Sequence, residues 1–361
     1  MNISPNVGDG LAPRDTALQH KPRPLPLFLD LLRSETAASP ERTVAALAGL
    51  KAYQEAERGP ARRPAPIAAE VGRAKLLDYG GDGPAVIFVP SLINPPTILD
   101  LAENNSLLCW LSAQGVHPYL VDWGAPTADE AKMTIGDHVE GLLLPLIDAL
   151  GEPAHLVGYC LGGTMAAAAA MLRPPLSLVT IAAPWHFDGF PDDARGGLKQ
   201  LWESSEPAAR DLGALPMEVL QTGFWKLDPA RTVSKFEMFG RLDPKSDKAR
   251  AFVALEDWAN DGPPLSYGAG RELVEDLFCG NATGCGQWTV GGRIIDPALL
   301  PCPVLDIISS TDRIVPEATA ARAGKVITLS QGHVGMVVGR RGRTALWEPL
   351  AQWLSQVQHR S

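Results

Sequence analysis

The five cysteines, Cys109, Cys160, Cys279, Cys285 and Cys302, are odd in number and contain no CxxC pair. That spacing argues against a structural zinc site and against a disulfide framework. Cys279 and Cys285 are close enough in sequence to suggest a bridge, but a reduced pair is the reading taken. No apolar run approaches the ~18 residues a membrane-spanning helix needs, so no transmembrane segment is expected. The opening "MNISPNVGDGLAPRDTALQHKPRPLPLF" has no pure apolar stretch and is broken by prolines, which removes a signal peptide. Positive charge is not in surplus. Thirty-two Lys and Arg face 41 Asp and Glu, a net charge of -9. A nucleic-acid surface needs clustered cations to displace counterions, so a nucleic-acid partner is not expected. No internal repeat or heptad run occurs. A soluble, cytoplasmic protein is the expectation.

What is present is a large apolar fraction, 45% of 361 residues, enough for a sizeable core. Residues 1 to about 24 are polar and proline-rich and are expected to be loosely draped. "SPERTVAALAGLKAYQEAE" reads as a helix, with Ser39 as cap, Pro40 in the first turn, and Val44, Leu47, Leu50 and Tyr53 at helical spacing. "RGPARRPAPIAAE" is a linker. From Lys75 short strands and helices alternate. "AVIFVP", "HPYLVDWG", "AHLVGY", "SLVTIAAP", "PVLDIISSTD" and "KVITLSQGH" read as strands, and "MTIGDHVEGLLLPLIDALG" as a helix closed by Gly151. Continuous apolar strands separated by helices predict an α/β fold with a mostly parallel sheet covered on both faces. Between Pro184 and Pro301 the rhythm breaks, and a mostly helical insertion is expected over the sheet's carboxyl edge. The expected division is a tail and helix over 1–65 and a catalytic domain over 66–361, with a cap or lid insertion at about 185–300.

One strand-to-helix junction carries chemistry. Gly158-Tyr159-Cys160-Leu161-Gly162 fits the G-x-nucleophile-x-G elbow of α/β-hydrolase folds. The turn is sharp, and a Cβ at either glycine would clash. Such a nucleophile needs an acid and then a histidine, in that chain order. Asp312 follows the strand "PVLDIISS", whereas Asp306 lies inside it and is the weaker candidate. His333 follows the last strand. The other histidines fit less well. His155 begins the nucleophile's own strand at the wrong end, and His117 precedes a strand. His138 lies on a helix, while His20 and His359 fall in tails. His186 is placed to line a pocket but is out of order for a base. For an oxyanion hole, one amide is that of Leu161, and the other belongs to the turn after "AVIFVP", at Leu92 or Ile93.

A thiol at the elbow changes the product of the first step. Serine makes an oxygen ester, which is sluggish toward further transfer. Cysteine exchanges one thioester for another, so the acyl group stays activated. Cys160 therefore favours acyl transfer from a thioester over ester hydrolysis.

Seven stretches, "INPPTILDL", "YLVDWGAP", "GYCLGGT", "FVALEDWANDGP", "VGGRIID", "DRIVP" and "GHVGMVVG", occur in this order between residues 70 and 356. In these the sequence resembles the polyhydroxyalkanoate synthases, and its length is similar to their short catalytic-subunit type. The resemblance implies an α/β-hydrolase fold and an enzyme that polymerises 3-hydroxyacyl-CoA through an acyl-cysteine on Cys160, releasing coenzyme A. His333 is then the base and Asp312 the third member. It implies no separate cofactor, since the CoA thioester is the substrate. A second synthase subunit, a homo-oligomer and the polymer granule surface are the implied partners. A thioesterase or esterase using the same three residues is the alternative. Where the family carries a basic residue and then an aromatic after Asn94, this chain has Pro95, Pro96 and Thr97. Asn94 is nonetheless a substrate-side candidate. Asp261 either caps the next element or reaches toward the site. Arg340 and Arg341, in "GRRGR", either meet the phosphates of coenzyme A or form a solvated loop.

Overall fold

The computed structural model describes residues 20–59 and 62–358, so most of the expected loose tail, and His359, lie outside the described residues. By contact the chain divides into two compact units, Met1–Gly59 with Asp228–Asn260, and Pro60–Leu227 with Asp261–Ser361.

The first unit is helical, with helices Leu25–Glu35, Pro40–Glu55, Pro229–Phe239 and Asp247–Ala259. Ser39 caps the second of these, its hydroxyl accepting the Arg42 N–H at 3.4 Å, and Pro40 opens it, as the sequence predicts. Its buried face differs from the expected stripe. Leu50 and Tyr53 are buried with Ala46 and Gly49, but Val44 and Leu47 are 68% and 43% exposed. The reason is Gly49. A Cβ there would stand 1.8 Å from the Phe236 carbonyl oxygen, so the two helices cross backbone to backbone at this point. Phe28, Tyr53 and Phe252 pack edge-on around Phe236. Arg42 and Arg58 clamp Glu237 and Asp257. These contacts correct the expected division. Residues 228–260, read as part of the insertion, cluster with the N-terminal helices instead.

Gly49→Ala should therefore destabilise this unit by roughly 1–3 kcal/mol, the usual cost of overpacking. Gly196 lies inside the helix Asp192–Leu212 with nothing within 4 Å of its missing Cβ, so Gly196→Ala should stabilise its helix by roughly 0.5–1 kcal/mol. Urea unfolding of both variants checks the opposite signs.

The second unit holds an eight-stranded sheet: β1 Ile67–Val71, β2 Ala74–Asp78, β3 Ala85–Val89, β4 His117–Asp122, β5 Ala154–Tyr159, β6 Leu178–Ile181, β7 Val304–Ser309 and β8 Lys325–Leu329. The spatial order is β1-β2-β4-β3-β5-β6-β7-β8. β1 and β2 run antiparallel to their neighbours and all later pairs are parallel. Every residue of β3, β5 and β6 is buried, as expected of strands covered on both faces. The helix read from "MTIGDHVEGLLLPLIDALG" runs Ile135–His138, widens over Val139–Leu143, and continues Leu144–Leu150. The wide turn precedes Pro145, whose ring nitrogen has no hydrogen to donate. Thr134 and Asp137 form a capping box at its start, and Gly151 ends it at φ +73°.

Residues 185–300 are mostly helical, as expected. In the second unit they contribute Asp192–Leu212, Met217–Leu227, Tyr267–Arg271 and the wide-turn helix Glu272–Cys279. Glu272 joins this region to the sheet layer. Its buried carboxylate accepts the N–H groups of Ile135 at 2.5 Å and Gly136 at 3.3 Å, and the Trp288 indole at 2.7 Å.

Candidate active site

Cys160 follows directly on β5 at φ +56°, ψ −134°, and the helix Leu161–Leu172 begins at the next residue. A side chain in that left-handed region is strained, and the surroundings enforce it. The Cys160 N–H donates to the Ile181 carbonyl at 2.9 Å, and the Gly163 N–H to the Cys160 carbonyl at 2.8 Å. The glycines leave no choice of residue. A Cβ on Gly158 would lie 2.4 Å from Gly163 Cα, one on Gly162 2.1 Å from the Val89 oxygen, and one on Gly163 2.3 Å from the Ala183 Cβ. Together they press the start of the helix onto β5, onto β6 and onto the end of β3.

Asp312 stands on the loop after β7. Its Oδ1 accepts the N–H groups of Ile314 at 2.8 Å and Val315 at 3.0 Å, which aims Oδ2 at His333 Nδ1, 2.7 Å away. His333 stands on the loop after β8. Ser309, at the end of β7, donates its hydroxyl to the Gln331 carbonyl at 2.6 Å and so ties the two loops together. The Asp312 side chain is fully buried and that of His333 is 6% exposed. With Nδ1 given to Asp312, the other ring nitrogen is left for the Cys160 thiol, with which His333 is hydrogen-bonded. Burial alone would pull the imidazole down. The charges of Cys160 and Asp312, and hydrogen bonds to both, outweigh it and raise His333 to about 10. The imidazolium form is thus held through neutral pH. A cysteine, an imidazolium and a carboxylate in this order can exchange acyl groups, with the imidazolium giving and retaking one proton.

The structure separates the other titratable candidates from this group. Asp306 sits within β7, where it accepts the Thr180 hydroxyl at 2.8 Å and the Arg322 N–H at 2.9 Å. His155 is fully buried at the start of β5 beside Ser177, and burial lowers it to about 4. His138 is held by Arg73 and the Thr134 carbonyl, and His117 by Asp78. His20 lies 3.5 Å from Asp257. His186 is half-buried after β6, its N–H donating to the Thr319 carbonyl at 2.8 Å.

Of the expected oxyanion donors, Leu161 is the first residue of the helix, where an N–H has no intrahelical acceptor. The Ile93 N–H is already taken by Ser91 Oγ at 3.1 Å, which leaves Leu92 as the candidate on that turn. The turn is close by, since Gly162 abuts both Val89 and Pro90. Asn94 is half-buried beside Gly262. Asp261 is exposed and accepts the N–H of Gly262 at 2.9 Å. It caps no helix, the next one being capped by Ser266. "FVALEDWA" is helical, and Trp258 in it is half-buried. Arg340 and Arg341 are exposed on the turn after the short helix Gly335–Val338.

Three supporting residues escaped the sequence reading. Tyr159 stacks on the His333 ring, and its hydroxyl donates to the His333 carbonyl at 3.2 Å. Asn105 and Trp347 donate to the carbonyls of Val338 and Val337, each at 2.9 Å, and so fix the short helix that follows His333. Only its place next to Cys160 could have flagged Tyr159; Asn105 acts across 233 residues of sequence and Trp347 across ten.

A model of the alpha/beta hydrolase family matches residues 108–345. The chain is 28% identical to the poly(3-hydroxyalkanoate) polymerase subunit PhaC of Haloferax mediterranei, over 92% of this chain and 72% of that one. It is also 28% identical to the subunit of the same name from Thiocystis violacea, over 81% of this chain and 88% of that one. Among solved structures, a thermophilic esterase from Thermogutta terrifontis, with malate bound, superposes with a TM-score of 0.50 at 16% identity. That match covers 82% of this chain and 99% of the esterase, and it is a likeness of fold.

Proposed function

This chain belongs to the alpha/beta hydrolase family, and from that premise we propose that it is an acyltransferase that polymerises 3-hydroxyacyl groups from their CoA thioesters. The observation that carries the proposal is a thiol, Cys160, at the elbow of a hydrolase fold, beside a histidine oriented by a carboxylate. The relatives named as poly(3-hydroxyalkanoate) polymerases supply the substrate class.

Each residue then has a role. The Cys160 thiolate attacks the thioester carbonyl, and the Leu161 and Leu92 N–H groups take the oxyanion. The bond to the CoA sulfur breaks, and His333 gives that sulfur its proton. The acyl group is left on Cys160. A 3-hydroxyl group of a second acyl unit next attacks the acyl-cysteine, His333 takes the hydroxyl proton, and the thiolate is restored with one ester bond made. Asp312 holds the His333 tautomer and stabilises the imidazolium. Exchange of thioester for thioester is nearly isoenergetic, so the ester-forming step draws on activation the substrate brought.

Water is the competing acceptor. We assign its exclusion to the parts of the insertion in the second unit, 185–227 and 261–300. Phe187, Phe190 and Phe278 pack together just past the carboxyl end of β6, and Trp185 meets Trp288 there. A second synthase subunit, a homo-oligomer, a granule surface and a cytoplasmic location complete the reading. Among the described residues no helix is long and apolar enough to cross a membrane.

Incubation of the purified chain with 3-hydroxybutyryl-CoA tests the proposal. CoA release should accompany an insoluble polyester. Release of CoA with only free 3-hydroxybutyrate would make the protein a thioesterase instead.

The coenzyme carries several negative charges into an acidic protein. Arg340 and Arg341, exposed a few residues past His333, are proposed to meet its phosphates. Their alanine variants should raise KM for acyl-CoA roughly 3–10-fold, the net scale of one ordinary hydrogen bond at an exposed site. Turnover of an N-acetylcysteamine thioester, which lacks the nucleotide, should be spared. Equal effects on both substrates would move the phosphate site elsewhere.

A further inference from the structure

His333 has the longest reach of the three reacting groups. It is carried on the loop after β8, an edge strand, and β8 lies three places from β5 in the sheet. Loops of this kind are mobile unless held. Asp312 holds the ring by one nitrogen at its edge, which leaves rotation about that bond and the position of the main chain to be fixed by something else.

Tyr159 meets both needs. It is the last residue of β5, paired across the sheet with Ile181, and 4% exposed. Its ring lies parallel to the imidazole, with centroids 5.0 Å apart and planes 26° from each other. Its hydroxyl donates to the His333 carbonyl at 3.2 Å. The strand that presents the nucleophile thus also grips the base, by its face and by its backbone. Because Tyr159 and Cys160 are adjacent, one rigid strand end sets the position of both reacting partners.

We propose that Tyr159 is a positioning residue for His333, and that its ring face favours the imidazolium that protonates the departing sulfur. This rests on the reading of Cys160 and His333 as the reacting pair. An aromatic face attracts a cation within about 6 Å, and the ring is at that range. The titratable groups that face His333 are Cys160 from the elbow, Asp312 from the loop after β7, and Tyr159 itself. The phenol remains a donor throughout. Burial first, and then the charges of Cys160 and Asp312, push it well above its ordinary value, so it stays protonated wherever the enzyme works.

Alkylation separates this inference from the proposed function. Wild type, Tyr159→Phe and Tyr159→Leu are treated with iodoacetamide from pH 5 to 11, and modification is followed by mass spectrometry on the peptide carrying Cys160. The alkaline break in the profile reports loss of the His333 proton. Tyr159→Leu, lacking the ring, should move that break down by about one unit. It should also cut kcat for CoA release with little change in KM. Tyr159→Phe keeps the ring and should leave the break within a few tenths of a unit, while kcat falls several-fold because the His333 main chain is released. Wild-type breaks and wild-type kcat in both variants would overturn the proposal. Should the Leu variant not fold, the Phe variant decides alone, and an unchanged kcat overturns it. If wild-type Cys160 alkylates no faster at neutral pH than the exposed Cys109, then the reading of the reacting pair fails, whatever Tyr159 does.

Discussion

Cys160→Ala abolishes CoA release and leaves the fold intact: this is the largest effect expected of any single substitution. Removing a nucleophile leaves no acyl-enzyme, and loss of such a group costs at least ~10³-fold in rate. The elbow itself survives, because its shape comes from Gly158, Gly162 and Gly163, and from the bonds of Cys160 N–H to Ile181 and Gly163 N–H to Cys160. Cys160→Ser should recover little. Its hydroxyl does not form the ion pair with His333, and its ester is a poorer donor to the next hydroxyl. A third variant isolates the strain. At φ +56° alanine is strained and glycine is not, so Cys160→Gly should melt higher than Cys160→Ala, by the order of 1 kcal/mol. Calorimetry of the two inactive proteins reads that difference free of catalysis. Near wild-type turnover by Cys160→Ala would remove the acyl-cysteine mechanism.

The elbow was legible because its constraints are local. Each of Gly158, Gly162 and Gly163 is required by a clash within a few residues or with an adjacent strand, and three such glycines around one thiol mark a turn too tight for any Cβ. The parallel strands were legible for the same kind of reason: β3, β5 and β6 are buried on both faces and read as unbroken apolar runs. The order of acid and histidine followed from the chain order the fold imposes. Features that depend on distant partners were hidden. β1 is an edge strand with no fully buried residue, so "IAAEV" carries no run to detect. Val44 and Leu47 have the right spacing for a buried stripe, yet the crossing at Gly49 turns a different face inward. No periodicity announces that residues 228–260 pack with the first sixty, since that pairing is made by Phe236 against Gly49 and by Arg42 against Glu237. Asp261 lies inside the stretch "FVALEDWANDGP", but only the folded turn shows its Oδ1 accepting the next N–H.

Asp312→Asn is the second large effect, and its pH dependence has a definite sign. Asparagine keeps the shape and can still accept the N–H groups of Ile314 and Val315. It removes the negative charge facing His333, and with its oxygen kept on those N–H groups it presents an amide NH2 where the imidazole needs an acceptor. Loss of this third member lowers kcat by roughly 10²–10⁴-fold. It also removes one of the causes that raise His333, so the pH at which the imidazolium is lost must fall. The consequence reaches stability. A histidine whose folded value lies above its unfolded 6.5 contributes stability that is fully present below about 6.5 and is lost as pH rises through the folded value, here about 10. Wild type should therefore lose urea stability between pH 6.5 and 10 from this group, with the midpoint of unfolding declining across that window. In Asp312→Asn the loss should begin from a lower plateau and finish at a lower pH, because less of the raising interaction remains to lose. If the two proteins have parallel stability curves from pH 6.5 to 10, then Asp312 does not bear on the charge of His333, and its short hydrogen bond only sets the ring's orientation.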